Sequence, residues 1–175
     1  NPEEAKRMLL KMGEIVGDLL ADQVIHGGAD AVQVFDTWAG LLSPETYREF
    51  AMPATAKSIE VFREKVGNDT PLIHYAKGSG HLHGDIRNLN LNAISLDWRD
   101  DLALNREHFG EKFAFQGNLD PSLLHGSTEM AKLATRKVLN EAGDKPGHIF
   151  NLGHGFAPSA RIECVETVLR EIVGE

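Results

Sequence analysis

Along the first 26 positions, apolar residues recur three and four apart: Leu9, Leu10, Met12, Ile15, Val16, Leu19, Leu20 and Val24. That period predicts a helix over residues 2–26, stopped by Gly27-Gly28. The pattern then shortens. Ala31 to Phe35 is a brief, partly β-branched apolar run and reads as a strand. Ser43-Pro44-Glu45 opens a second helix, with Ser43 as N-cap and Pro44 in the first turn. It extends to about Val66, where Gly67-Asn68-Asp69 closes it. The same alternation continues to the end. "PLIHYA" (71–76), "AISLDW" (93–98), "FAFQ" (113–116) and "HIFNL" (148–152) read as strands. Residues 80–90 (weakly), 101–109, 127–142 and 160–173 read as helices, the third with Ser127 as cap and Gly143 beyond its end. Asp120-Pro121 marks one further helix start. The strands read as buried on both sides. Five such strands alternating with helices predict an α/β fold with a parallel sheet covered by helices.

Composition narrows the function classes. A length of 175 residues suits one domain. The net charge of −8 argues against nucleic acid, because neutralising phosphates needs clustered Lys and Arg. No apolar run approaches the roughly 20 residues of a membrane helix, and no secretory signal is visible. The single cysteine, Cys164, excludes an internal disulfide and fits a reducing cytoplasm. No GxGxxG or P-loop supports nucleotide binding. The sequence begins at Asn1 rather than Met, which fits a processed chain or a fragment.

Chemistry in parallel α/β folds gathers at the C-terminal ends of the strands. Here those ends carry Asp36-Thr37-Trp38, His74-Tyr75-Ala76-Lys77, Asp97-Trp98-Arg99, Gln116 to Asp120, and Asn151 with His154. So many polar groups at strand ends predict a ligand site. Each group also has a plainer reading. Thr37 could cap a turn, Asp97 could cap a helix or pair with an arginine, and Trp38 and Trp98 could simply pack. His154 lies between Gly153 and Gly155, which would allow positive φ and close approach of another molecule. His81 and His83 are metal-like residues, but no Cys or carboxylate completes a ligand set, so no metal is expected there.

Five stretches carry a resemblance. "QVFDTWAGLLSPETYREFAMP", "PLIHYAKGSGHL", "LDWR", "FQGNLDPSLL" and "GHIFNLGHGFAP" occur in the order found in the uroporphyrinogen decarboxylase family. The chain resembles the C-terminal half of that family over nearly its whole length. The resemblance implies a (β/α)8 TIM barrel, of which these five strands are part. It implies a cytoplasmic homodimer, no metal or organic cofactor, and a porphyrinogen substrate. It also implies an activity: removal of carbon dioxide from the four acetate side chains of uroporphyrinogen III to give coproporphyrinogen III. Two substrate positions carry over. Thr37 in "FDTWAG" stands where the family has a Ser or Thr, and His154 in "NLGHG" where it has its substrate histidine. The arginine-rich loop, the pyrrole-binding aspartate and the tyrosine of the family belong to its N-terminal half, so the main catalytic groups are expected outside these residues. The chain alone is then expected to be inactive or nearly so.

Two other readings compete. Zinc- and cobamide-dependent methyltransferases share the barrel, but they need a His-x-Cys where this chain has His74-Tyr75-Ala76, and Ala76 offers no thiolate. A half-barrel remnant with a binding role is the other.

Overall fold

A computed structural model of the chain describes residues 1–110 and 112–174. They fall into two compact units, Asn1–Ala93 and Ile94–Glu175.

In the first unit, β1 (Val32–Asp36) and β2 (Leu72–Ala76) pair in parallel, with Val32 opposite Leu72 and Asp36 opposite Ala76. Helix α1 (Pro2–Ile25) precedes them and begins as the pattern predicts. The Asn1 side chain accepts from the Glu3 amide (3.2 Å), Pro2 occupies the first turn, and Glu3 and Glu4 favour the positive helix end. Its fit against α3 (Met52–Val66) depends on Gly13 and Gly17, one turn apart. A Cβ on Gly13 would collide with the Ala54 carbonyl. One on Gly17 would lie 2.5 Å from the Ser58 carbonyl oxygen and 2.7 Å from Val61 Cβ. The absence of both side chains lets the two backbones touch.

The helix expected from Pro44 to Val66 is interrupted. A short α2 (Pro44–Thr46), with the Ser43 hydroxyl accepting from the Thr46 amide (3.2 Å), leads into a π-turn over Tyr47–Ala51, and then into α3. Pro53 has no N–H to give the Glu49 carbonyl, and its ring crowds that turn. The wider π-turn relieves the crowding. Gly67, at φ 78°, ends α3. There the Arg63 guanidinium donates to the Thr70 carbonyl (2.7 Å) and to Asn92 Oδ1 (2.6 Å). Asn92 Oδ1 also accepts from the Leu72 amide (2.9 Å), so one arginine ties α3 to the start of β2. The weak helix at 80–90 is a 3-10 turn, Gly80–Leu82, followed by a one-turn α4 (His83–Ile86). Phe62, Leu72, Leu82, Ile86 and Tyr47 are fully buried.

The second unit continues from β3 (Ala93–Ser95) through α5 (Leu102–Phe109), β4 (Ala114–Gln116), α6 (Thr128–Ala142), β5 (His148–Ile149) and α7 (Ile162–Val173). The Leu96 amide donates to the Gln116 carbonyl (2.8 Å), and β4 pairs with β5 in parallel. Asp101 and Ser127 cap α5 and α6, accepting from the Leu104 and Met130 amides (2.9 and 3.2 Å). Gly143, at φ 65°, ends α6 as expected. Asp120 and Pro121 start a 3-10 turn over Pro121–His125. Phe115, Leu96, Leu102, Leu119, Leu124 and Cys164 form the core.

Strand parallelism and helix alternation match the expected α/β class, with two corrections. The strands are shorter than their apolar runs: Leu96 to Trp98 and Phe150 lie outside the ladders. Nor are all of them covered on both sides. Phe35 on β1 is 69% exposed and Ile149 on β5 is 44% exposed. Among the described residues β1 has β2 and β5 has β4 as partner, so each of these strands presents one open edge.

Candidate active site

Thr37 follows the last residue of β1 and is half-buried in the turn that leaves the strand. The turn does not need its hydroxyl as a cap. Asp36 Oδ1 does that work by accepting from the Ala39 amide (3.1 Å). Burial raises the Asp36 pKa above the usual carboxylate range, and the Ala39 and Trp38 amides offset part of the rise. Trp38, next to Thr37, is 73% exposed and so is not a packing residue within the described chain.

β2 behaves differently from its sequence reading. His74 is not presented at the strand's end. Its side chain is fully buried, and neither ring nitrogen has a hydrogen-bond partner among the described residues. Burial first, and the neighbouring His83 second, lower its pKa to about 4. Of the two "HLH" histidines, His81 is exposed with Nε2 2.9 Å from the Leu42 carbonyl, and His83 is buried.

The second unit holds His154 in the loop after β5. Its Gly neighbours act differently from the expectation, since neither has positive φ. A Cβ on Gly153 would strike the backbone of Asp97 and Trp98, with Trp98 Cα at 2.9 Å. A Cβ on Gly155 would meet nothing within 4 Å. Gly153 therefore serves close backbone packing, whereas the space beside Gly155 would admit a side chain. The loop is pinned as well: the Leu119 amide donates to the Asn151 carbonyl (3.1 Å), and the Gly153 amide to the Leu119 carbonyl (2.8 Å). His154 is half-buried, its ring 6.4 Å from that of Trp98, centre to centre.

Several polar groups singled out in the sequence are structural. The buried Asp97 carboxylate accepts from the Arg99 amide (2.8 Å) and from the Arg99 guanidinium, so the arginine-partner reading holds. Gln116 donates to Ser95 Oγ (3.1 Å). Asn118 donates to the carbonyls of Asp97 (2.9 Å) and Asp100 (2.8 Å). His148 Nε2 lies 2.6 Å from the Gly117 carbonyl; burial lowers its pKa, and that carbonyl opposes the shift. Cys164 is buried on α7 with Sγ 3.6 Å from the Gly126 carbonyl, and Ala76 ends β2. Those two positions supply no thiolate at a strand end. Thr37 and His154 both lie on loops that leave a strand, one in each unit.

Comparison with known proteins fits this arrangement. Residues 1–173 match the family described as uroporphyrinogen decarboxylase (URO-D). A uroporphyrinogen decarboxylase from Magnetococcus marinus is 39% identical over 176 residues, which cover 99% of this chain and 49% of that protein. One from Alcanivorax borkumensis is 36% identical over 173 residues, covering 98% and 49%. The chain thus spans about half the length of the curated relatives it matches. Among solved structures, a methyltransferase from Methanosarcina mazei superposes with a TM-score of 0.73 over 88% of this chain and 44% of its own. Its 19% identity speaks for the fold alone. On the match across both units, the chain belongs to the uroporphyrinogen decarboxylase family.

Proposed function

We propose that this chain forms the C-terminal half of a uroporphyrinogen decarboxylase barrel and contributes Thr37 and His154 to its substrate site. The carrying observation is the family match from residue 1 to residue 173, which includes both motif loops. Openness on the β1 side supports a further half: Phe35, Trp38 and Leu41 are 69%, 73% and 78% exposed, and the apolar side chains of Met12, Ile15 and Leu19 on α1 are exposed too. Further βα units would cover such a surface and complete a (β/α)8 barrel. A cytoplasmic homodimer is part of the same reading.

The chemistry needs no organic cofactor, because the substrate supplies its own electron sink. Protonation of a pyrrole ring lets the C–CO2 bond break, with its electron pair moving into the ring. Carbon dioxide leaves, the exocyclic carbon takes up a proton, and the ring gives one back. Each acetate becomes a methyl group with net consumption of one proton. The protein's share is orientation and charge stabilisation. His154 donates to a substrate carboxylate, and Thr37 adds a hydroxyl. A chain of net charge −8 repels a substrate with many carboxylates at long range, so cations must come from the other half.

The test is anaerobic turnover of uroporphyrinogen by the native protein that carries this chain. The expected result is stepwise loss of four carbon dioxide molecules. His154→Ala, which removes a hydrogen bond to a charged group, is expected to lower kcat/KM by roughly 10- to 100-fold, and Thr37→Ala by several-fold. Absence of carbon dioxide release, or full activity in both variants, overturns the proposal.

A further inference from the structure

Around His154 the second unit is layered. The Arg99 guanidinium carbon lies 4.8 Å from the centre of the Trp98 ring, and that ring lies 6.4 Å from the His154 ring at an interplanar angle of 38°. The turn bearing Trp98 is held from below. Asn118, itself buried, donates from one amide nitrogen to the carbonyls at both ends of the turn, Asp97 (2.9 Å) and Asp100 (2.8 Å). The Asp97 carboxylate fixes the Arg99 amide (2.8 Å) and its guanidinium. Gly153 lies so close that its missing Cβ would overlap the Trp98 backbone. These hydrogen bonds hold the backbone of the turn, while the Trp98 residue is half-buried. It offers an aromatic surface, held on a bonded turn, to the half-buried ring of His154.

We propose that Trp98 is a positioning residue: its indole, stacked by Arg99 and carried on a turn that Asn118 holds, sets the orientation of the His154 imidazole toward the substrate carboxylate. The role rests on the proposed substrate contact of His154. It predicts that losing the indole is felt through His154 and nowhere else. Trp98→Leu in the native protein is expected to lower kcat/KM by roughly 2- to 10-fold, the range of an aromatic pair. Trp98→Phe, which keeps a ring, is expected to restore most of the loss. In a double-mutant cycle, Trp98→Leu combined with His154→Ala is expected to be no slower than His154→Ala alone. Proton NMR supplies a readout that does not depend on turnover. The wild-type His154 ring protons are expected to show a cross-peak to the indole and a ring-current displacement, which Trp98→Phe reduces and Trp98→Leu abolishes.

The outcomes separate. If the two losses multiply independently, if Trp98→Phe rescues nothing, or if the wild-type cross-peak is absent, the positioning role is overturned while the His154 contact stands. If His154→Ala leaves turnover unchanged, the substrate contact fails and takes the positioning role with it, even where NMR shows the rings together. The wild-type cross-peak and Trp98→Phe keep the test decisive if Trp98→Leu does not fold.

Discussion

His74 makes the structure answerable to acid. The imidazole is fully buried, has no hydrogen-bond partner among the described residues, and has its pKa lowered from 6.5 to about 4. In the unfolded chain the ring titrates near 6.5. At pH 7 both states hold it neutral. As pH falls below 6.5, the unfolded state binds a proton that the native state refuses, so stability drops until pH reaches the native value near 4. A gap of about 2.5 pKa units corresponds to roughly 3 kcal/mol, of which about 2–3 kcal/mol is lost by pH 4.5. His74→Leu replaces the ring with an apolar side chain that cannot titrate. At pH 7 the variant is expected to match the wild type or exceed it by about 1 kcal/mol, because two orphaned buried nitrogens are gone. Between pH 7 and 4.5 it should lose about 2–3 kcal/mol less. With an m-value of about 1–3 kcal/mol/M, that difference is a shift of about 1 M in the urea midpoint. Urea titrations at pH 7, 5.5 and 4.5, followed by circular dichroism, measure it. Wild type and His74→Leu losing stability in parallel would refute the assignment of the acid sensitivity to this ring.

Other predictions follow from single contacts. Gly17→Ala should destabilise the chain by about 1–3 kcal/mol, because the new Cβ meets the Ser58 carbonyl and Val61. Helix propensity alone predicts the opposite sign, by about 1 kcal/mol, so a rise in the thermal midpoint would refute the close-packing account. Arg63→Ala removes the charged bonds to Thr70 and Asn92 and should lower stability by about 1.5–3 kcal/mol. A urea midpoint unchanged from wild type would show that the clamp is idle.

Much of the architecture was legible in the sequence because it is written in local chemistry. Ser43, Asp120, Ser127 and Gly143 have the terminal roles that their side chains or conformational freedom suit. The helical period of α1 gave its extent almost to the residue. What escaped depends on partners distant in the chain. Nothing near Gly13 or Gly17 announces that Ala54 and Ser58 will press against them. Nothing near His74 announces that its ring has no hydrogen-bond partner among the described residues. The strands were read too long because an apolar run marks burial, whereas a ladder needs a neighbour at each position. The two proposed site residues came from motif resemblance rather than from periodicity. The reason for Gly153 became visible only when the Trp98 backbone was seen beside it.

Asn118 has one more consequence. By bridging two carbonyls with a single amide, it removes the freedom of a four-residue turn before any ligand arrives. A loop frozen in this way loses little conformational entropy on association, since ordering an interface costs about 0.5–1.5 kcal/mol per mobile side chain. Any ligand that reaches this side meets a turn whose shape was already set during folding.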